Sequence, residues 1–168
     1  MLFLSFFPKS EDARRVMSGQ KIRIKFEVDT DNPESGITVY RYKMLPGPYG
    51  VRIFDEATLF AGKIHALLCR EYGRRVKGRD FYDYLFFISK GSRFNLKYLE
   101  NKLKNTGKID DAAILTTDMV KKMLEDKFRS VDYESAKKDV AVFIEDTYNL
   151  NLWKAELFLS TLDELKSS

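Results

Sequence analysis

Between Lys21 and Asp29 apolar and charged residues alternate without a break: Ile22, Ile24, Phe26 and Val28 fall on one side, Lys21, Arg23, Lys25, Glu27 and Asp29 on the other. A period of two predicts a strand with one face in a core. The cluster Asp31 to Gly36 reads as a turn, Ile37 to Leu45 as the next strand, Pro46-Gly47-Pro48 as a break, and Tyr49 to Phe54 as a further short strand. The opening apolar run Met1 to Phe7 reads as a core-bound strand that stops at Pro8, and residues 10–18 as a short helix. After Asp55 the period becomes helical. Asp55 suits an N-cap, and Leu59, Phe60, Lys63, Ile64, Leu67 and Leu68 share a stripe that ends before Gly73. Further helices are expected at 79–89, 96–104, 118–128, 132–147 and 153–165, with caps at Thr116-Thr117 and Asp132. The fold class is α+β: a strand-rich part over 1–54, then a helical part over 55–168 packed as a bundle on one face of the sheet.

Composition narrows the chemistry. The chain has 168 residues, 44% hydrophobic and 32% charged, which suits a soluble, core-forming domain and excludes a disordered tail, a collagen-like repeat or a membrane bundle. Lys and Arg number 29 against 25 Asp and Glu, a net charge of +4 that permits an anionic partner without requiring one. There is one histidine, His65, and one cysteine, Cys69. That scarcity argues against a structural zinc site and against Ser/His or Cys/His hydrolysis, leaving carboxylates, lysine, arginine and tyrosine. A lone cysteine fits a reducing, cytoplasmic setting. Met1 to Phe7 lacks the basic start and small-residue cleavage pattern of a signal peptide, and no apolar stretch nears the roughly 20 residues that span a bilayer.

Four places invite chemistry. Lys63 sits in the apolar stripe, four residues from both Leu59 and Leu67. It must snorkel at the edge, pair with a carboxylate, or hold an anion such as a phosphate. Asp80 and Asp83 lie three apart near the start of a helix that is aromatic or aliphatic nearly all round. Acids there offset the helix dipole, but on a buried helix they also need a cation or a metal, and Lys63, Arg70 and Arg79 are the nearest cations in sequence. Glu27 and Asp29 lie on the charged face of their strand, where they form cross-strand pairs or, at the mouth of a cleft, bind a divalent ion such as magnesium. The loop Arg70 to Arg79 carries five cations around Tyr72, which suits a solvated loop or a weak nucleic-acid or phosphate site.

The stretch Thr58 to Arg70 (TLFAGKIHALLCR), followed by Arg75 to Tyr84 (RVKGRDFYDY), resembles the AbiEii/AbiGii toxin family, nucleotidyltransferase-like halves of abortive-infection toxin–antitoxin pairs active in phage defence. The upstream strand IKFEVDT is similar to a later core strand of that family, and the resemblance covers roughly residues 20–105. It implies a polymerase-β-like nucleotidyltransferase fold, here a partial catalytic sheet followed by a helical bundle, and transfer of a nucleotide from a nucleoside triphosphate bound with Mg2+ to an acceptor. It implies that Lys63 lies near the triphosphate with Arg70 and Arg79 as further nucleotide-binding cations. Asp80 and Asp83 would be the acids of an RDxxD motif, one catalytic and one structural, with Arg79 bracing Asp80. Glu27 or Asp29 would supply a further acid to the metal.

The sequence departs from the family at one point. The small Gly-Ser turn and Asp-x-Asp strand that carry the metal-binding acids are not found; Asp29-Thr30-Asp31 runs into Asn32-Pro33, and Asp110-Asp111 come after the core. The expectation is that this chain is the C-terminal portion of a family member. Three readings follow: an incomplete nucleotidyltransferase toxin, an inactive interaction module that binds an antitoxin or a second copy of itself, and a basic RNA-binding domain. An RNA acceptor fits the first and third. Open strand edges lead us to expect self-association.

Overall fold

Asp55 is where the chain passes from strand to helix. Its Oδ1 accepts a hydrogen bond from the Thr58 amide at 2.8 Å, satisfying one of the donors that a helix start leaves without a partner. A computed structural model describes residues 33–73, 75–145 and 147–168, all within the compact unit Asp31–Ser168. Before the cap lie β1 (Thr38–Lys43) and β2 (Tyr49–Phe54), antiparallel, with Thr38 opposite Phe54 and Lys43 opposite Tyr49. After it come α1 (Glu56–Cys69), α2 (Gly78–Ser89), the short β3 (Arg93–Phe94), α3 (Leu96–Asn105), α4 (Thr117–Ser130) and α5 (Tyr133–Ala141). A 3-10 turn at Tyr148–Leu152, α6 (Ala155–Ser160) and β4 (Lys166–Ser167) complete the chain. Helix and strand mix as an α+β reading requires. The predicted strand over residues 21–29, with Glu27 and Asp29, lies outside the described residues.

The helices close around aromatic rings. Phe81 touches Tyr72, Phe128, Tyr133 and Phe158, and Tyr84 touches Phe60, Phe128 and Phe158. Phe60, Phe81, Phe94, Phe128 and Phe158 are wholly buried, a large share of the apolar burial that holds the domain together. β4 pairs in parallel with β3, and the Ser168 amide donates to the Phe94 carbonyl at 3.0 Å, so the last residues are fastened beside the α2–α3 connection. The hairpin is attached at its base, where the Ile37 amide donates to Thr58 Oγ1 at 3.1 Å and Phe54 lies against Tyr98. Among the described residues no helix is long and apolar enough to cross a membrane.

Four expectations are corrected. Leu59 is exposed, so the buried stripe of α1 is Phe60, Ile64, Leu67 and Leu68, and Lys63 stands at its edge. α2 is not enclosed: Tyr82 and Phe86, four residues apart on its outer face, are exposed. The helix expected to run to 147 stops at Ala141, where the β-branched Val142 begins a turn closed by the Phe143 amide on the Val140 carbonyl. The helix expected to run to 165 stops as an α-helix at Ser160. There the Ser160 and Thr161 hydroxyls bond back to the Leu157 and Phe158 carbonyls, and the chain tightens into a 3-10 turn.

Candidate functional site

Seven residues separate Lys63 from Arg70, two helical turns, so both project from the same side of α1 and its C-cap. Three residues separate Asp80 from Asp83, one turn of α2. The two sets meet in reverse order. Lys63 Nζ lies 2.7 Å from Asp83 Oδ2, and the Arg70 guanidinium is bonded to Asp80 Oδ2. Pairing the earlier cation with the later acid is what two helices of opposite sense produce. A seam of two ion pairs thus runs between α1 and α2.

The ends of the seam differ in solvation. At Lys63 and Asp83 the side chains are 42% and 35% exposed, whereas the Asp80 side chain is only 11% exposed. Buried Asp80 is held further by the Tyr72 hydroxyl at 3.5 Å. Burial, and then the negative charge of Asp80, push the Tyr72 phenol well above its ordinary range, so Tyr72 stays a neutral donor. Lys127 of α4 closes this end: its Nζ donates to the Arg70 carbonyl at 2.9 Å and stands 4.4 Å from the centre of the Tyr72 ring. A cation there complements the carbonyl end of α1. Burial lowers the Lys127 pKa, with Lys108 adding to the effect. A cavity of about 250 Å3 opens beside this cluster, lined by Tyr72, Val76, Lys127, Ser130 and Ser135 among others.

The residues expected at the site therefore divide. Lys63, Asp83, Arg70 and Asp80 come together. Arg79 does not brace Asp80, which is held by Arg70; its guanidinium lies 4.6 Å from the centre of the Phe143 ring. Arg75 of the same loop is tied to buried Asp139 of α5, with Nε 2.5 Å from Oδ1. Glu27 and Asp29 lie outside the described residues. Lys127 and Asp139 were not legible as partners, because each sits on an ordinary amphipathic helix more than 50 residues from the group it meets. Among the described residues no group of three His, Cys, Asp or Glu side chains is placed to hold a metal ion, and both seam acids already face a cation. The described residues do not by themselves make a metal centre.

The chemistry available at the exposed end is that of a lysine ammonium with a carboxylate to orient it, open to a diffusing anion. Comparison with known proteins gives a match to one family, Nucleotidyl transferase AbiEii toxin, Type IV TA system, over residues 5–161. No curated protein and no solved structure matches.

Proposed function

Taking as premise that the chain belongs to the AbiEii nucleotidyl transferase toxin family, which it matches over residues 5–161, we propose that the α1–α2 seam is the nucleotide-facing part of a nucleotidyl transfer site. The observation that carries this reading is the Lys63–Asp83 pair, 2.7 Å apart and partly open to solvent between α1 and α2. In the proposed reaction an acceptor hydroxyl oxygen bonds to the α-phosphorus of a nucleoside triphosphate and gives up its proton to solvent, the bond from that phosphorus to the β-phosphate oxygen breaks, and pyrophosphate leaves. Lys63 places positive charge against the triphosphate, and Asp83 holds the ammonium in position before the nucleotide arrives. Asp80 is the structural acid of the motif, kept by Arg70 and Tyr72. Arg70 contributes field rather than contact, because its guanidinium is engaged.

A divalent ion, proposed to be Mg2+, would be held by Glu27 or Asp29 and would neutralise charge at the phosphates. RNA as acceptor, a cognate antitoxin as partner, a cytoplasmic role in phage defence, and completion of a polymerase-β-like sheet by the strands before Asp31 belong to the same proposal. The test is transfer of label from each α-labelled nucleoside triphosphate to total cellular RNA in the presence of Mg2+. One nucleotide should label RNA, and Lys63→Ala should abolish the labelling. Labelling by the variant at the parent rate would end the assignment.

A second reading is favoured by a separate observation: both seam acids are already neutralised, and no metal cluster forms among the described residues. In that reading the chain is an inactive module whose ion pairs only join α1 to α2. Calorimetric titration with Mg2+ and triphosphate separates the two, since a saturable heat lost in Lys63→Ala counts against the inactive module.

A further inference from the structure

The β1–β2 hairpin displays side chains for which the fold has no use. From Ile37 to Phe54 the chain carries Arg41, Lys43 and Arg52 and not one Asp or Glu. Among the described residues none of these three cations has a carboxylate partner. The same eighteen-residue segment, Ile37 to Phe54, holds three tyrosines, Tyr40, Tyr42 and Tyr49, which are 59%, 74% and 50% exposed. Single exposed aromatics are ordinary. Three of them interleaved with unpaired cations are not.

Register sorts them. Tyr40 lies opposite Arg52 and Tyr42 opposite Gly50, so these four share one face; Arg41, Lys43 and Tyr49 share the other. The Tyr40 and Tyr42 rings meet edge to face, 5.2 Å between centroids and 78° between planes, and Tyr42 keeps 74% of its surface exposed. Gly50 makes this possible. A Cβ there would stand 1.9 Å from the Tyr40 hydroxyl oxygen, so only a glycine lets the Tyr40 ring lie across β2.

We propose that this hairpin is a platform for single-stranded nucleic acid, with Tyr40 and Tyr42 stacking on bases, Arg52 on the same face neutralising a phosphate, and Arg41 and Lys43 on the other face adding positive field. Charge complementarity selects a polyanion, because three cations stand with no acid among them. The open aromatic faces select a polyanion whose bases are unstacked, which excludes a duplex and gives tolerance of sequence. The inference goes beyond the transfer reaction and does not depend on it, since binding here needs neither nucleotide nor metal.

The test is fluorescence anisotropy of labelled twelve-residue oligo-dT and oligo-rU against a labelled blunt duplex, with the full chain and without triphosphate or Mg2+. Saturable binding to both single strands and at least tenfold weaker binding to the duplex are expected. With Arg52 the one phosphate contact on that face, affinity for the single strands should fall about two- to threefold between 50 and 200 mM salt. Tyr40→Ala with Tyr42→Ala should weaken binding at least tenfold. Tyr40→Phe with Tyr42→Phe keeps the rings and should bind as the parent does, which guards against loss through misfolding. Lys154→Ala, at the start of α6, should bind as the parent does. Equal affinity for duplex, undiminished binding after both alanine substitutions, or no saturable binding to either single strand would each overturn the proposal.

Discussion

Lys63 of α1 and Asp83 of α2 form an ion pair, Nζ to Oδ2 2.7 Å, at the open end of a seam whose other end, Arg70 on Asp80, keeps its acid largely buried. The same pairing of charge types thus does two jobs within two helical turns. A solvated pair contributes little to folding and can be rearranged by an incoming anion. A buried acid cannot lose its partner cheaply. The predictions follow from that contrast and from two packing features near it.

Lys63→Ala should reduce stability by less than about 1 kcal/mol, because the pair is solvated on both sides. If the seam faces the triphosphate, the same change should reduce nucleotide transfer by about a hundredfold or more, the scale seen when a preorganised charge donor is removed. Thermal melting and the labelling assay on one protein preparation give both numbers.

Asp80→Ala should lose more stability than Asp83→Ala in urea denaturation. Removing Asp80 strands the Arg70 guanidinium and the Tyr72 hydroxyl at a half-buried site, for a loss of about 2 kcal/mol after allowing for the partial exposure of Arg70. Asp83→Ala should lose under about 1 kcal/mol. Equal losses would contradict the division into structural and exposed acids.

Glu100 gives a pH signature. Its buried carboxylate accepts from Lys97 Nζ at 2.7 Å, from the Leu115 amide at 2.9 Å and from Lys104, and the Lys97 bond above all holds its pKa down at about 2, against an ordinary 4.5. A carboxylate depressed in the folded state contributes its stability fully above the unfolded value and loses it as pH falls from about 4.5 towards about 2. Allowing for the exposure of Lys97, the contribution is on the order of 1–2 kcal/mol. Glu100→Gln should flatten the stability profile across that interval in denaturant titrations at stepped pH.

Gly78→Ala and Gly62→Ala should have opposite signs, although both glycines are helical. A Cβ on Gly78 would stand 1.9 Å from the Ala136 carbonyl oxygen, so α2 and α5 must part, at about 2 kcal/mol. At Gly62, in the middle of α1, a Cβ meets nothing within 4 Å, and the gain in helix propensity should stabilise by up to about 1 kcal/mol. Differential scanning calorimetry reads both.

Much of the local structure was readable because its causes are local. The Asp55 cap, the break at Pro46-Gly47-Pro48 and the starts of α1, α2, α3 and α5 came within a residue or so of the predicted positions. Helix ends were less legible. α5 and α6 stop short of their apolar patterns because a turn at Val142 and hydroxyl back-bonds at Ser160 and Thr161 intervene, and periodicity does not register such competition. Exposure was misjudged where composition stood in for burial: Tyr82, Phe86 and Leu59 are apolar in type and wet in place.

Spacing along the chain was enough to determine that Lys63 and Arg70 share one side of a helix and that Asp80 and Asp83 share one side of another, because a 3.6-residue repeat is a property of the backbone. Which cation meets which acid was decided only when the two helices packed with opposite sense, and that placed Arg70 rather than Arg79 on Asp80. The same packing decided solvation. Lys127 arrives from a distant position and with Tyr72 closes one end of the seam, while among the described residues none closes the other, so two acids three residues apart with the same intrinsic chemistry differ in what they can do.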